Sequence, residues 1–165
     1  MQQPLVQEIA YQPPHELFQA FAERPWAILL DSALSLPELG RYSFIALDPF
    51  CTIQSKNGSV DIHHAGGGHE QITANPFHVL QTELEKYPFS SYRDLPPFQG
   101  GALGYWGYDL CHHIEQFAYK VLDDMQFPDL AIGLIIVTGK HFVTGKLGNG
   151  FPRLWHRNFG RRCAG

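Results

Sequence analysis

Nine histidines and three cysteines are the most reactive side chains in this 165-residue chain. His63-His64 and His112-His113 are adjacent pairs. Neighbours on a strand point to opposite faces, and neighbours on a helix diverge by about 100°. Neither pair is a ready two-ligand metal site, which H-x-x-x-H spacing would supply. The expectation is therefore solvated or capping histidines and no bound metal. Cys51, Cys111 and Cys163 are widely spaced, without C-x-x-C or a local nucleophile signature. They read as buried or incidental thiols in a reducing compartment. The nucleophile elbow G-x-S-x-G is also absent.

The Asp31-Ser32 step is more informative. It closes the apolar run Trp26-Ala-Ile-Leu-Leu, which reads as a buried strand. A strand end is where a rigid scaffold presents polar groups to a ligand. Arg41, at the start of the next apolar run, could offer its guanidinium fork to a carboxylate across the intervening loop. That geometry suits a free amino acid. Equally, Arg41 and Asp48 flank the second strand and could simply make a surface ion pair.

Gly100, Gly101, Gly104 and Gly107 lie among apolar and aromatic residues in Pro97-Phe-Gln-Gly-Gly-Ala-Leu-Gly-Tyr-Trp-Gly-Tyr-Asp-Leu110. A dinucleotide fingerprint needs G-x-G-x-x-G, and a P-loop needs Gly-Lys-Ser/Thr. Here the spacing is GG-x-x-G-x-x-G, with no lysine. The stretch reads as an irregular buried strand over 100–108 whose glycines allow a bulge or a close approach. A helix from Asp109 to about Tyr119 should follow, with Leu110, Ile114 and Phe117 on one face.

The elements that position these residues can be placed in order. Pro13-Pro14 opens a helix carrying Leu17, Phe18 and Phe21, which should end near Arg24-Pro25. Arg41–Leu47 is a second strand. Lys56-Asn57-Gly58 between Cys51–Gln54 and Ser59–His63 signals a hairpin, because Asn-Gly accepts positive φ. A short strand over Glu70–Thr73 follows the Ala65–Gly68 turn. Asn75-Pro76 caps a helix striped by Phe77, Leu80 and Leu84 and reaching about Lys86. Tyr87–Pro97 is a loop. Leu130–Val137 and His141–Thr144 are strands. The fold class expected is α+β, a largely antiparallel sheet with a few packed helices.

The chain is of one-domain size. No apolar run approaches the roughly 20 residues of a membrane span, and Met1-Gln-Gln-Pro lacks the pattern of a secretory signal. A cytoplasmic location is expected. The net charge of −4 hides an asymmetry. Residues 1–129 hold all sixteen acidic side chains and six basic ones, a net −10, whereas residues 130–165 hold six basic ones and no acidic one, a net +6. Such a shift points to a tail with an acidic partner or a tail of different origin.

Four segments occur in order: Pro25-Trp-Ala-Ile-Leu-Leu-Asp-Ser32, Arg41-Tyr-Ser-Phe44, Asp94-Leu-Pro-Pro-Phe-Gln-Gly-Gly-Ala-Leu-Gly-Tyr-Trp-Gly-Tyr-Asp-Leu110 and Phe127-Pro-Asp-Leu-Ala-Ile-Gly133. Together they resemble the N-terminal region of component I of the chorismate-utilising aminating enzymes, over about residues 5–134. The aminodeoxychorismate synthase branch is the nearer match and the anthranilate synthase branch the alternative. The resemblance implies an incomplete part of the anthranilate synthase component I-like fold. It implies a whole protein that converts chorismate and ammonia to 4-amino-4-deoxychorismate on the p-aminobenzoate and folate route. It further implies a glutamine amidotransferase subunit as ammonia donor, and Mg2+ and catalytic residues only in a C-terminal region beyond this chain. No catalytic residue and no cofactor is expected here, and the chain alone should be inactive.

The family's N-terminal region carries a tryptophan pocket. The resemblance maps that pocket onto Ser32 and the segment Leu39, Gly40, Arg41 and Tyr42, with an aromatic amino acid as its ligand. Asp31 stands where the family more usually has glutamate or histidine. After Leu134 the family usually continues with Tyr-Asp-Trp, whereas this chain reads Ile135-Ile-Val-Thr-Gly-Lys140 and ends in an acid-free, arginine-rich stretch. Residues 135–165 are thus expected to be a divergent basic tail, through a frameshift or gene break near codon 134. A nucleic-acid role for Trp155, Phe159 and the arginines is the less favoured reading. An open sheet edge and apolar surface should make the chain poorly soluble.

Overall fold

The structure is a computed structural model that describes residues 11–32, 40, 42–88, 91, 93, 96–116, 122–135, 141–145 and 153–156, the last two segments as backbone only. In chain order the elements are α1 (Pro14–Gln19), β1 (Ile28–Leu30), β2 (Tyr42–Ala46), β3 (Cys51–Lys56), β4 (Ser59–His64), β5 (His69–Thr73), α2 (Pro76–Glu85), β6 (Gly101–Trp106), a 3-10 helix (Tyr108–His113), β7 (Leu130–Ile135), β8 (His141–Gly145) and β9 (Arg153–His156). The class is α+β with mostly antiparallel sheets, as expected from the sequence.

The chain forms two compact units. One comprises Met1–Pro49, Phe89–Gly101 and Ile135–Gly165; the other comprises Phe50–Pro88 and Ala102–Leu134. The first unit holds a four-stranded sheet in the order β1-β2-β8-β9, with α1 against β1 and β2. The expected strand at His141–Thr144 is present as β8, which pairs with β2 from Tyr42↔Gly145 to Ala46↔His141.

The second unit holds a five-stranded sheet in the order β5-β4-β3-β7-β6. The Asn57-Gly58 signal is realised: both residues have positive φ, 50° and 80°, and they join β3 to β4 with Lys56 opposite Ser59. β3 alternates buried and half-buried side chains, as a strand with one core face does. β7 is buried along its whole length between β3 and β6, which explains its unbroken apolar sequence. Ile53, Ile62, Leu130, Ile132 and Leu134 build the core with Val79 and Leu80 of α2.

Asn75 caps α2 by accepting a hydrogen bond from the Phe77 amide at 2.9 Å, and Pro76 follows at the first turn. Of the expected stripe, Leu80 is buried and Phe77 packs half-buried against the core, while Pro76, Val79 and Glu83 complete the buried face. Leu84 is exposed, and a glutamate occupies the core-facing position.

Three expectations are corrected. α1 ends at Gln19, not near Arg24, because the bonds tighten into successive i to i−3 turns from Phe21 to Phe18 and from Arg24 to Phe21. The restriction before Pro25 sets the latest end of the helix, not the actual one. β1 is a three-residue strand with Leu30 exposed, not a buried strand, and among the described residues it has a neighbour on one side only. The helix expected from Asp109 to about Tyr119 is a 3-10 helix that stops at His113. Leu110 alone is buried in it, and Ile114 points outward. Phe117 lies outside the described residues.

The expected apolar exposure is present: Tyr108, Leu122, Met125 and Phe127 are exposed, and β6 is an end strand of its sheet.

Candidate functional site

Asp31 and Ser32 leave β1 directly across from the start of β2. The antiparallel register that pairs Leu30 with Phe44 continues into side-chain bonds. Ser32 Oγ donates to the Tyr42 carbonyl at 2.8 Å. Ser43 Oγ donates to Asp31 Oδ1 at 2.6 Å, and the Ser32 amide reaches Ser43 Oγ at 3.5 Å. Ser43 is buried, Ser32 half-buried and Asp31 exposed. The cluster is therefore a fixed set of hydroxyl, carboxylate and carbonyl groups at the end of a sheet.

Rings lie beside it. Tyr42 and Phe44 have centroids 6.1 Å apart, and Phe98 meets Phe44 edge-on at 5.6 Å. Gly40 has φ 68°, a backbone setting that glycine adopts without strain. The structure thus brings Ser32 and Tyr42 together, with Gly40 two residues before Tyr42. Leu39 and Arg41 lie outside the described residues. Sequence reasoning missed Ser43 and Phe98. The one signal for Ser43 was its place opposite Asp31 in an antiparallel pair. Asp48, considered as a partner for Arg41, pairs with Arg24 at 2.5 Å.

The glycine strand is not the buried strand expected over 100–108 but the end strand β6, with Tyr105 and Trp106 exposed, and its glycines are explained by backbone approach. A β-carbon on Gly104, which has φ 154°, would lie 2.0 Å from the Ala131 carbonyl oxygen. One on Gly107 would lie 2.8 Å from the carbonyl oxygen of Asp129, which the Gly107 amide bonds at 2.7 Å. The neighbour that requires the missing side chains is β7 and the residue before it. Buried Asp129 also fastens the hairpin, accepting from Lys56 Nζ at 2.9 Å and from the Asn57 amide at 2.8 Å. Hydrogen bonds to Asp123 and Asp129 hold the Lys56 ammonium above its ordinary range.

The adjacent histidines behave as their spacing demands. His63 and His64 leave β4 on opposite faces, so they form no joint site. Each instead meets cross-strand neighbours. His63 stacks on His69 at 4.2 Å, beside Asp61, which accepts from His69 at 3.2 Å and from Gln71 at 3.1 Å. His64 pairs across the ladder with Cys51, and Glu83 of α2 closes a second group of three. The sequence reading missed both clusters, which span 8 and 32 positions, because their members meet only through strand register and helix packing.

No family model matches the sequence. Curated proteins do. The anthranilate synthase component 1 of Acetivibrio thermocellus is 33% identical over 116 residues, which cover 70% of this chain and 24% of that protein. The aminodeoxychorismate synthase component 1 of Salmonella typhimurium is 38% identical over 111 residues, 67% of this chain and 24% of the relative. This chain is similar to the component 1 synthases. The anthranilate synthase component 1 of Neisseria meningitidis serogroup B is 31% identical over 138 residues, 79% of this chain and 28% of the relative.

The chain spans about a quarter of the length of these component 1 synthases. A match over 79% of 165 residues must include about residues 36–130 wherever it begins. The Asn57-Gly58 hairpin, the Cys51–His64 pair, Gly104, Gly107 and Asp129 therefore all fall within the stretch aligned with that component 1 synthase. Each relative is named as one component of a synthase, which implies at least one more component. Among the described residues no helix is long and apolar enough to cross a membrane.

Proposed function

We propose that this chain is the N-terminal part of a component I synthase of the aminodeoxychorismate kind. In the whole protein, chorismate and ammonia are converted to 4-amino-4-deoxychorismate for p-aminobenzoate and folate synthesis. A glutamine amidotransferase subunit delivers the ammonia. Mg2+ and the amination chemistry belong to a catalytic region outside this chain, which alone is not a catalyst. The protein works in the cytoplasm. The observation that carries this reading is the 38% identity to an aminodeoxychorismate synthase component 1 over 67% of the chain.

Within this part, Ser32, Leu39, Gly40, Arg41 and Tyr42 are proposed to contact an aromatic amino acid of the tryptophan type. The hydrogen bond from Ser32 to the Tyr42 carbonyl supports this, since it holds the strand ends at one fixed separation. The neighbouring Tyr42, Phe44 and Phe98 rings supply a surface suited to an indole.

The anthranilate reading keeps its place because relatives of 33% and 31% identity carry that name. Resequencing the coding DNA through codons 125–145, and translating the downstream bases in all three frames, tests the assignment. A frame that resumes with Tyr-Asp-Trp and continues into a catalytic region is the expected result. That joined protein, given chorismate and ammonium ions, should form the 4-amino product, and formation of anthranilate would move it to the other branch. A confirmed reading with no such frame would overturn the proposal of a larger synthase.

A further inference from the structure

We propose that Cys51, His64 and Glu83 bind one divalent cation of the zinc class. Cys51 opens β3, His64 closes β4 directly opposite it, and Glu83 faces both from the buried side of α2. One ligand atom from each lies within 4.8 Å of the others. Thiolate, imidazole and carboxylate form a donor set that suits zinc. Donors in tetrahedral contact with zinc lie about 3.5 Å apart. Closing the group thus needs side-chain shifts of about 1 Å, with the sheet unchanged.

An independent observation points to the same place. Glu83 is 4% exposed, and its Oε2 has no hydrogen-bond partner among the described residues. Its Oε1 is held by Lys86 at 2.5 Å. A buried carboxylate oxygen without a donor is costly, and helices rarely carry one on a core-facing stripe. A cation beside it would satisfy that oxygen. A thiolate and a carboxylate together also balance the cation's two charges. His64 is half-buried, which leaves an entry route and room for a fourth ligand such as water. Cysteine ligates as thiolate, so binding releases the thiol proton to solvent.

The Asp61, His63 and His69 group serves as the internal comparison. It contains no sulfur, and its Asp61 oxygen already accepts two hydrogen bonds.

The test is titration of the purified 165-residue chain with Co2+ in place of zinc, followed by absorption. Expected is one cobalt per chain, with a thiolate-to-cobalt charge-transfer band that zinc abolishes by displacement. Cys51→Ser should remove the band. His64→Ala and Glu83→Gln should each weaken binding at least about tenfold. His69→Ala and a Cys111→Ser/Cys163→Ser background should leave it unchanged. Cys51 is fully buried and its variant could lose the fold. The half-buried His64 variant, checked by circular dichroism, keeps the test decisive. No thiolate band at excess cobalt would overturn the proposal. So would a band that survives both His64→Ala and Glu83→Gln, or one that vanishes with Cys111 and Cys163.

Discussion

Gly104 of β6 lies so close to Ala131 of β7 that a β-carbon would sit 2.0 Å from the Ala131 carbonyl oxygen. Backbone, unlike a side-chain tip, cannot swing away. Gly104→Ala should therefore destabilise the chain by about 2–4 kcal/mol. Gly66→Ala meets nothing within 4 Å and should change stability by less than about 0.5 kcal/mol. Urea midpoints of the two variants decide this, and equal midpoints would refute the close packing of β6 on β7.

Asp129 ties β7 to the hairpin through Lys56 and the Asn57 amide. Asp129→Ala removes the buried acceptor of both bonds and should cost about 1–2 kcal/mol. Lys56 reaches solvent, so its share is smaller than in a fully buried pair. A thermal melt that is unchanged in this variant would show the bonds to be incidental.

Acid should weaken the second unit. Lys56, and then the Gln126 amide, hold the Asp123 carboxyl below its ordinary 3.8. His69 and Gln71 do the same for Asp61. A folded value below the unfolded one means stability that is present above 3.8 and lost as pH falls below it. Asp123→Asn should flatten the decline of the urea midpoint below about pH 4. A steeper decline in the variant would reverse the sign assigned here.

The two described cysteines should differ in reactivity. Cys51 is buried and its thiol is pushed up to about 11, whereas Cys111 is half-buried. Thiolate is the reactive form. Iodoacetamide at neutral pH should thus label Cys111 well before Cys51, as read by peptide mass. Prior labelling of Cys51 would mean that β3 opens more readily than its core position implies.

Tryptophan binding should depend on the strand ends. Calorimetry of the chain with L-tryptophan should show weak binding, reduced about tenfold in Ser32→Ala or Arg41→Ala, since losing one good hydrogen bond costs about 1.4 kcal/mol. An affinity that neither substitution changes would remove Ser32 and Arg41 from the site.

Local rules located most elements because each rested on short-range chemistry. Asn57-Gly58 turned where positive φ was needed, Asn75-Pro76 capped α2, and the apolar run of β7 became a fully buried strand. The errors came where a neighbour outranked the pattern. β1 looked buried because an apolar run cannot report whether it has one partner strand or two. The helix after Asp109 shortened because only Leu110 found a core to enter.

The sequence by itself determined the strand and turn chemistry, the glycine positions and the likeness to component 1 synthases, because these rest on residue type and order. Only the tertiary structure decided which backbone each glycine faces, that Ser43 joins Asp31 while Arg24 joins Asp48, and that His64 meets Cys51 and Glu83. Strand register and the rotation of α2 are set by the summed burial of many side chains. No local spacing encodes which distant groups that burial brings together.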